Sequence, residues 1–427
     1  MRIFMFGWEF PPFISGGLGT ACYGLTKAID DLGIKVTFVL PRPVDHQYTG
    51  HVRLLSPGCE KSVGSVQFSE LKNVVFHTIA SPLEPYSTPL TYQQRIERLL
   101  KQKREIQASR VTTETIGTAD YTGDMYTEVH RFAAVAVELA RGEEFDIVHA
   151  HDWMTFPAGI AVASISGKPL VVHVHSTEFD RSGEHVNQMI YDIERRGMEQ
   201  ADKIIAVSNY TRHIIMSRYG VSGGKVRVVY NGVEQNPKAA LAESSIGKDE
   251  KIVLFLGRIT MQKGPEYFLA AAKKVLEVMD NVKFVVAGSG DLLPRAVELA
   301  AELGIGHKVL FTGFLHGDDV QRIYRMADLY VMPSVSEPFG IAPLEALGNE
   351  VPVIISKQSG VSEVLTHALK VDFWDVDEMA NKIIAVLKYP PLGITLRHHG
   401  NFEVRKLQWK DAAARCVEVY QEMLAAV

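Results

Sequence analysis

Short apolar runs rich in β-branched and aromatic residues alternate with longer stretches of helical spacing through most of the 427-residue chain. Ile3–Phe6, Val36–Leu40, Val74–Ile79, Ile147–His149, Leu170–His173, Ile204–Val207 and Val226–Tyr230 read as a first series of buried strands. Ile252–Leu256, Lys283–Ala287, Val309–Thr312, Leu329–Met332 and Val353–Ile355 form a second series. Continuous apolar runs are what a parallel sheet needs when helices cover both of its faces. The pattern therefore predicts an α/β chain with two doubly wound parallel-sheet domains in tandem. Length agrees, because 427 residues exceed what one hydrophobic core usually supports. The break is expected between Asn231-Gly232 and Lys251, in a polar stretch containing Pro237. Domains are expected at 1–232 and 233–408. A last helix, near Lys410–Ala426 in the segment 409–427, would cap the second domain or cross back to the first.

Composition narrows the function classes. Hydrophobic residues make up 46% and charged residues 22%, which excludes a disordered or fibrous chain. With 45 basic against 50 acidic side chains the net charge is −5, which argues against nucleic acid as the main partner. Cys22, Cys59 and Cys416 lie far apart, a pattern that suits neither a disulfide framework nor a zinc site and fits a reduced, cytoplasmic setting. The N-terminus carries no secretion signal, and no apolar run is long enough to span a membrane. One helical segment, 93–110, departs from the background. Arg95, Arg98, Lys101, Lys103, Arg104 and Arg110 outnumber Glu97 and Glu105, which suggests a solvated helix or a surface for an anionic membrane or a large acceptor.

Three loops carry candidate chemistry. Gly16-Gly17-Leu18-Gly19 lies between the opening strand and a helix, where glycines allow close backbone approach and the helix start favours an anion. A nicotinamide site would need an acid about twenty positions on; Thr37–Pro41 supplies none, which argues against a dehydrogenase. The second loop is Arg258-Ile-Thr-Met-Gln-Lys263-Gly264-Pro265, two cations at a strand end with Pro265 suited to open a helix. Ligands of open parallel sheets bind outside the carboxyl ends of the strands, so a diphosphate is the natural partner. The third is Pro333–Ala346, with Glu337 on a loop and Glu345 in the first turn of a helix opened by Pro343. Amides of Phe339, Gly340 and Ile341 would face a phosphate or a sugar hydroxyl there. His149, His151, His173 and His175 alternate along two strands, but a zinc site wants three or four convergent ligands, so no metal is expected. Asp375-Val-Asp377 precedes a helix and reads as a cap.

Glu337, which opens Glu-Pro-Phe-Gly-Ile, and Glu345, separated from it by seven residues, resemble the paired-glutamate signature of retaining GT-B glycosyltransferases, and Arg258 with Lys263 resembles their cation pair. His149-Ala-His151-Asp152-Trp153 and Gly16-Gly17-Leu18 are similar to first-domain motifs of glycogen and starch synthases, within glycosyltransferase family 4. The resemblance covers essentially the whole chain. It implies two Rossmann-like domains facing across a cleft, and transfer of a hexose, first of all glucose, from a UDP-, ADP- or GDP-sugar. The acceptor implied is a glucan end, with a lipid-linked or small-molecule acceptor, or a non-catalytic sugar-nucleotide binder, as rivals. Arg258 and Lys263 would neutralise the departing diphosphate, Glu345 hold the ribose, and Glu337 the sugar. Gly16 and Gly17 would approach from the first domain, His175 stand near the anomeric carbon, and Asp152 near the acceptor hydroxyl. Gly313, Phe314 and Leu315 would contact the base, with Tyr324 close by. No metal or other cofactor is required by this scheme. Ile14 stands where ADP-glucose-dependent bacterial glycogen synthases have lysine, which leaves UDP- and GDP-sugars at least as eligible.

Overall fold

The computed structural model describes residues 1–10, 16–42, 63–66, 71–81, 89–109, 124–234 and 250–425. Ile14, Cys59, Arg110 and most of the expected interdomain break lie outside them.

The first sheet is built from β1 (Arg2–Phe6), β2 (Lys35–Arg42), β3 (Val63–Val66), β4 (Val74–Ala80), β5 (Ile147–His151), β6 (Leu170–Val174), β7 (Lys203–Ala206) and β8 (Val226–Val228). Its spatial order is β3-β4-β2-β1-β5-β6-β7-β8, parallel except for β3, which runs antiparallel to β4. The second sheet comprises β9 (Lys251–Leu256), β10 (Val282–Ala287), β11 (Val309–Gly313), β12 (Leu329–Met332), β13 (Val353–Ser356) and β14 (Leu369–Val371), in the order β11-β10-β9-β12-β13-β14 and wholly parallel. These are the two doubly wound sheets that the apolar runs predicted. β3 and β14 were not anticipated, being short edge strands of three or four residues with little apolar content to betray them.

Strand order reverses beside β1 in the first sheet and beside β9 in the second. At such switch points the loops leave the strand ends in opposite directions and open a crevice. Chemistry should therefore collect after β1 and β5 in one lobe, and after β9 and β12 in the other.

The C-terminal helix, Trp409–Leu424, packs on the helix Gly17–Asp31 and joins the core of the first lobe. Ala413, Cys416 and Tyr420 are fully buried there. Fit is close: a Cβ on Gly24 would lie 2.2 Å from the Trp409 ring. The chain thus passes between the lobes twice, and the two passages touch where the Val233 amide donates to the Leu407 carbonyl at 3.0 Å. Asp375 caps the helix Val376–Lys388 by accepting from the Glu378 amide at 2.9 Å, so the Asp-x-Asp has a structural task. The basic segment falls on the helix Pro89–Ser109, where Arg98 and Lys101 are exposed. Among the described residues no helix is long and apolar enough to cross a membrane.

Candidate active site

The second-lobe wall begins where β9 and β10 end. A Cβ on Gly288, at φ 137°, would sit 1.9 Å from the Gly257 carbonyl oxygen, so only glycine lets the two strand ends cross. Beyond that crossing Arg258 projects, donating to Gln262 Oε1 at 3.2 Å. A short turn, Met261–Lys263, leads to Gly264 in the left-handed conformation (φ 65°) and to the helix Pro265–Leu276, with proline at its start as predicted. Lys263 Nζ forms an ion pair with Glu337 Oε2, which also accepts from Ser334 Oγ at 3.2 Å. Glu345 lies in the first turn of the helix Ala342–Gly348 and accepts from the Tyr324 hydroxyl at 3.0 Å. Burial raises the pKa of Glu345, with the Tyr324 hydrogen bond acting against it.

The first-lobe wall is made differently. Glu9, fully buried just after β1, uses Oε2 to accept from the amides of Gly16 and Gly19, each at 3.0 Å. Two amides at the start of the helix Gly17–Asp31, those of Gly16 and Gly19, are therefore already engaged by a carboxyl of the same chain. A Cβ on Gly16 would lie 2.5 Å from that carboxylate oxygen, whereas Gly17 faces open space. Asp152 follows β5 in the left-handed conformation (φ 58°), uncommon for a residue with a side chain. Its Oδ1 accepts from the His175 amide (2.7 Å) and the Ser176 amide (3.3 Å). Burial outweighs those donors and pushes Asp152 up to about 7.

A cavity of about 360 Å³ joins the two walls, in the size range of small-molecule sites. Gly16, Gly17, Asp152 and His175 line it from the first lobe. Arg258, Lys263, Glu337, Glu345, Phe314, Leu315, Phe339, Gly340 and Ile341 line it from the second. Two expected residues stand back from it. Gly313 turns its carbonyl to the Gly288 amide (2.9 Å), and Tyr324 is fully buried behind Glu345, where its hydroxyl donates to that carboxylate. Residues that the sequence reading missed also line the cavity, among them Asn231, Gln262, Gly288, Ser289 and Ser334. The Gly-Ser-Gly directly after the run ending at Ala287 was the available signal for two of them.

Comparison with known proteins identifies the family. Residues 238–399 match the family described as Glycosyl transferases group 1, and residues 117–236 match Glycosyltransferase Family 4. An uncharacterised glycosyltransferase of Methanocaldococcus jannaschii is 30% identical over 99% of this chain and 98% of its own. The chain belongs to glycosyltransferase family 4. A D-inositol 3-phosphate glycosyltransferase from a Mycobacterium species is 30% identical over 63% of this chain and 65% of its own. Glycogen synthase of Mycobacterium tuberculosis is 23% identical over 86% and 80%. The fold of this family 4 glycosyltransferase is GT-B: the solved structure of Anabaena HepE in complex with UDP-glucose covers 100% of both chains at TM-score 0.68 and 17% identity. Proteins of this family transfer a sugar from a nucleotide-sugar donor, so the chain is a transferase.

The glycosyltransferase also carries an array that its sequence did not reveal. His149, His151, His173 and His175 stack on one face of β5 and β6, with centroids 4.2–5.4 Å apart and planes within 16–29°. His151 Nδ1 meets His175 Nε2 at 2.9 Å, and His149 Nδ1 meets the Tyr420 hydroxyl of the C-terminal helix at 2.6 Å. Nitrogens of His149, His151 and His173 lie within 4.8 Å of one another, so these three side chains do converge, contrary to the expectation from sequence. Zinc at about 2.0–2.1 Å from each nitrogen needs lone pairs aimed at one point, and near-parallel planes aim them side by side. The array suits neutral imidazoles. Burial lowers all four pKa values, His149 and His175 to about 3.

Proposed function

We propose that this family 4 glycosyltransferase is a retaining hexosyltransferase that moves glucose from UDP-glucose to the end of a glucan. One observation carries the reading: the Arg258–Lys263 turn and the Glu337–Glu345 loop face Gly17, Asp152 and His175 across a single cavity. Arg258 and Lys263 take the diphosphate, where each charge-assisted hydrogen bond contributes about 1.5–3 kcal/mol. Glu345, steadied by Tyr324, holds the ribose, and Phe314 and Leu315 flank the base. Glu337 exchanges its ion pair with Lys263 for hydroxyls of the transferred sugar. His175 remains a neutral imidazole near the anomeric carbon, and Asp152 stands by the acceptor hydroxyl. Attack comes on the face that the diphosphate leaves. As the new glycosidic bond forms, the acceptor hydroxyl passes its proton to the departing phosphate oxygen. Fixed charges and dipoles supply most of the rate, and apposed lobes keep water from competing.

The HepE complex supports UDP-glucose as donor, and the glycogen synthase relative supports a glucan acceptor. The inositol-phosphate glycosyltransferase favours a second reading, transfer to a small polar acceptor. A lipid-linked acceptor draws its support from the exposed Arg98 and Lys101; flotation with anionic liposomes, with and without the segment 93–110, tests it. The main reading is tested by thermal shift with UDP-, ADP- and GDP-sugars, since a ligand at a hundred times its dissociation constant stabilises by about 2.7 kcal/mol. The bound donor is then incubated with a maltooligosaccharide or inositol phosphate, and the product anomer is read by NMR. An α-linked product is expected; a β-linked product from the α-linked donor overturns retention, and the productive acceptor selects between the readings.

A further inference from the structure

The loop that carries Glu337 is held from the opposite lobe. Ser336 donates its hydroxyl proton to Asp180 Oδ1 at 2.5 Å, and the Tyr210 hydroxyl lies 3.0 Å from Ser336 Oγ. With the Ser336 proton committed to a carboxylate, Tyr210 is the donor of the second bond. Two residues on, the Pro338 carbonyl accepts from Ser208 Oγ (2.5 Å) and Thr211 Oγ1 (3.3 Å). Gly360, whose amide donates to the Glu337 carbonyl at 2.9 Å, is pressed against the same place: a Cβ there would lie 2.5 Å from Ser208 Cβ. Glu363 completes the joint by accepting from the amides of Asn209 (3.0 Å) and Tyr210 (2.7 Å), at the start of the helix Asn209–Tyr219.

Asp180 is the anchor. It is 1% exposed, and its Oδ2 accepts from the Thr177 amide (2.7 Å) and the Thr177 hydroxyl (2.8 Å). The adjacent Arg181 spends its guanidinium on Glu178, Glu194 and the Ser176 carbonyl, so Asp180 relies on hydroxyl and amide donors. A buried carboxylate depends on every donor it has. One of those donors, Ser336, belongs to the other lobe and is present only in this arrangement of the two.

We infer that Asp180 is a positioning residue for the donor site: through Ser336 it fixes the loop that presents Glu337 to Lys263 and the cavity, and so makes that geometry conditional on how the lobes are apposed. This rests on the proposed role of Glu337 in donor binding, and it adds a first-lobe residue that touches no substrate. A loop free to move by about 1 Å can cost 100-fold in rate.

Ser336→Ala and Ser336→Thr separate this from mere adhesion between lobes. In Ser336→Ala, kcat with UDP-glucose is expected to fall roughly 10- to 100-fold with little change in KM for donor, and the share of donor hydrolysed to free glucose should rise. Ser336→Thr keeps the hydroxyl and should restore both. Wild-type kcat and partition in Ser336→Ala, or failure of threonine to restore them, overturns the inference. If the wild-type protein transfers sugar from no donor, the functional reading fails by itself. The joint is then judged by small-angle scattering, where Ser336→Ala must show a larger radius of gyration than wild type; an equal radius overturns it.

Discussion

The two walls of the cleft share one topology and divide the chemistry between them. Both are loops at the carboxyl ends of parallel strands, beside a switch point in strand order. The second-lobe wall is ionic: Lys263 pairs with Glu337, Arg258 leans on Gln262, and Glu345 rests on Tyr324. The first-lobe wall is nearly neutral, because its glycine loop is closed by the chain's own Glu9 and its histidines are held uncharged by burial. Asp152, pushed up to about 7 by burial, changes charge there near neutral pH. A Rossmann-like sheet thus provides a ledge at its strand ends, and the loop residues decide whether that ledge handles charge or shape.

The largest expected effect comes from removing the ionic half. Lys263→Ala takes away a cation and leaves Glu337, whose side chain is 8% exposed, without its ion pair. Loss of one charge-stabilising donor typically costs 100- to 1,000-fold in kcat, and Arg258→Ala should fall in the same range. Both proteins should remain folded by circular dichroism. Transfer at the wild-type rate in either would assign the diphosphate's charge to the first lobe and break the contrast.

Next in size is a change beneath that wall. Gly288→Ala forces a Cβ to within 1.9 Å of the Gly257 carbonyl at φ 137°, where strain alone costs about 1–3 kcal/mol. Clash adds to strain, so a drop in Tm of several degrees is expected, with kcat reduced because Arg258 is displaced. Gly17→Ala, which meets open space in the other lobe, should leave Tm close to wild type. Equal losses would mean that the two ledges are equally tight.

Much of the ionic wall was legible in the sequence, since its parts are contiguous. Arg258 and Lys263 share one turn and Glu337 and Glu345 one loop, so spacing carries their geometry. The strands were legible for a similar reason, because burial on both faces leaves unbroken apolar runs. Contacts between distant segments were not. Asp180 and Ser336 are separated by 156 positions. The four histidines read as two unrelated pairs until β5 and β6 pair in register, with His151 beside His173.

A smaller effect sharpens the neutral wall. The Asp152 pKa is raised from its ordinary value of 3.8 to about 7, so the folded protein binds a proton that the unfolded chain has released above pH 4. The stability tied to that proton is complete below about pH 4 and declines, by at most about 1.4 kcal/mol per pH unit, as pH rises to the folded value of about 7, above which no further loss occurs. Asp152→Asn keeps an oxygen acceptor for the His175 and Ser176 amides and removes the titration. Chemical denaturation between pH 4 and 8 should show wild type losing stability relative to the variant up to about pH 7, with no further divergence above it. A parallel decline in both would take Asp152 out of the neutral-pH chemistry of the cleft.

The smallest effect concerns the histidine stack. His173 is 2% exposed, and neither of its ring nitrogens has a hydrogen-bond partner among the described residues. Burial holds its pKa well below 6.5 in the folded state, so below pH 6.5 the unfolded chain takes up a proton that the folded protein refuses. The stability tied to its neutral form is complete above pH 6.5 and declines as pH falls. His173→Leu should therefore make the acid limb shallower by up to one proton, about 1.4 kcal/mol per pH unit. At pH 7 the variant should be as stable as wild type or more so, because an apolar side chain replaces a buried polar ring without partners. Denaturant midpoints at pH 7, 6 and 5 read both effects. An unchanged acid slope, or a stability loss of several kcal/mol at pH 7, would mean that the His173 nitrogens are satisfied in solution. The first-lobe wall would then be polar, and the contrast between the two walls would narrow to their formal charges.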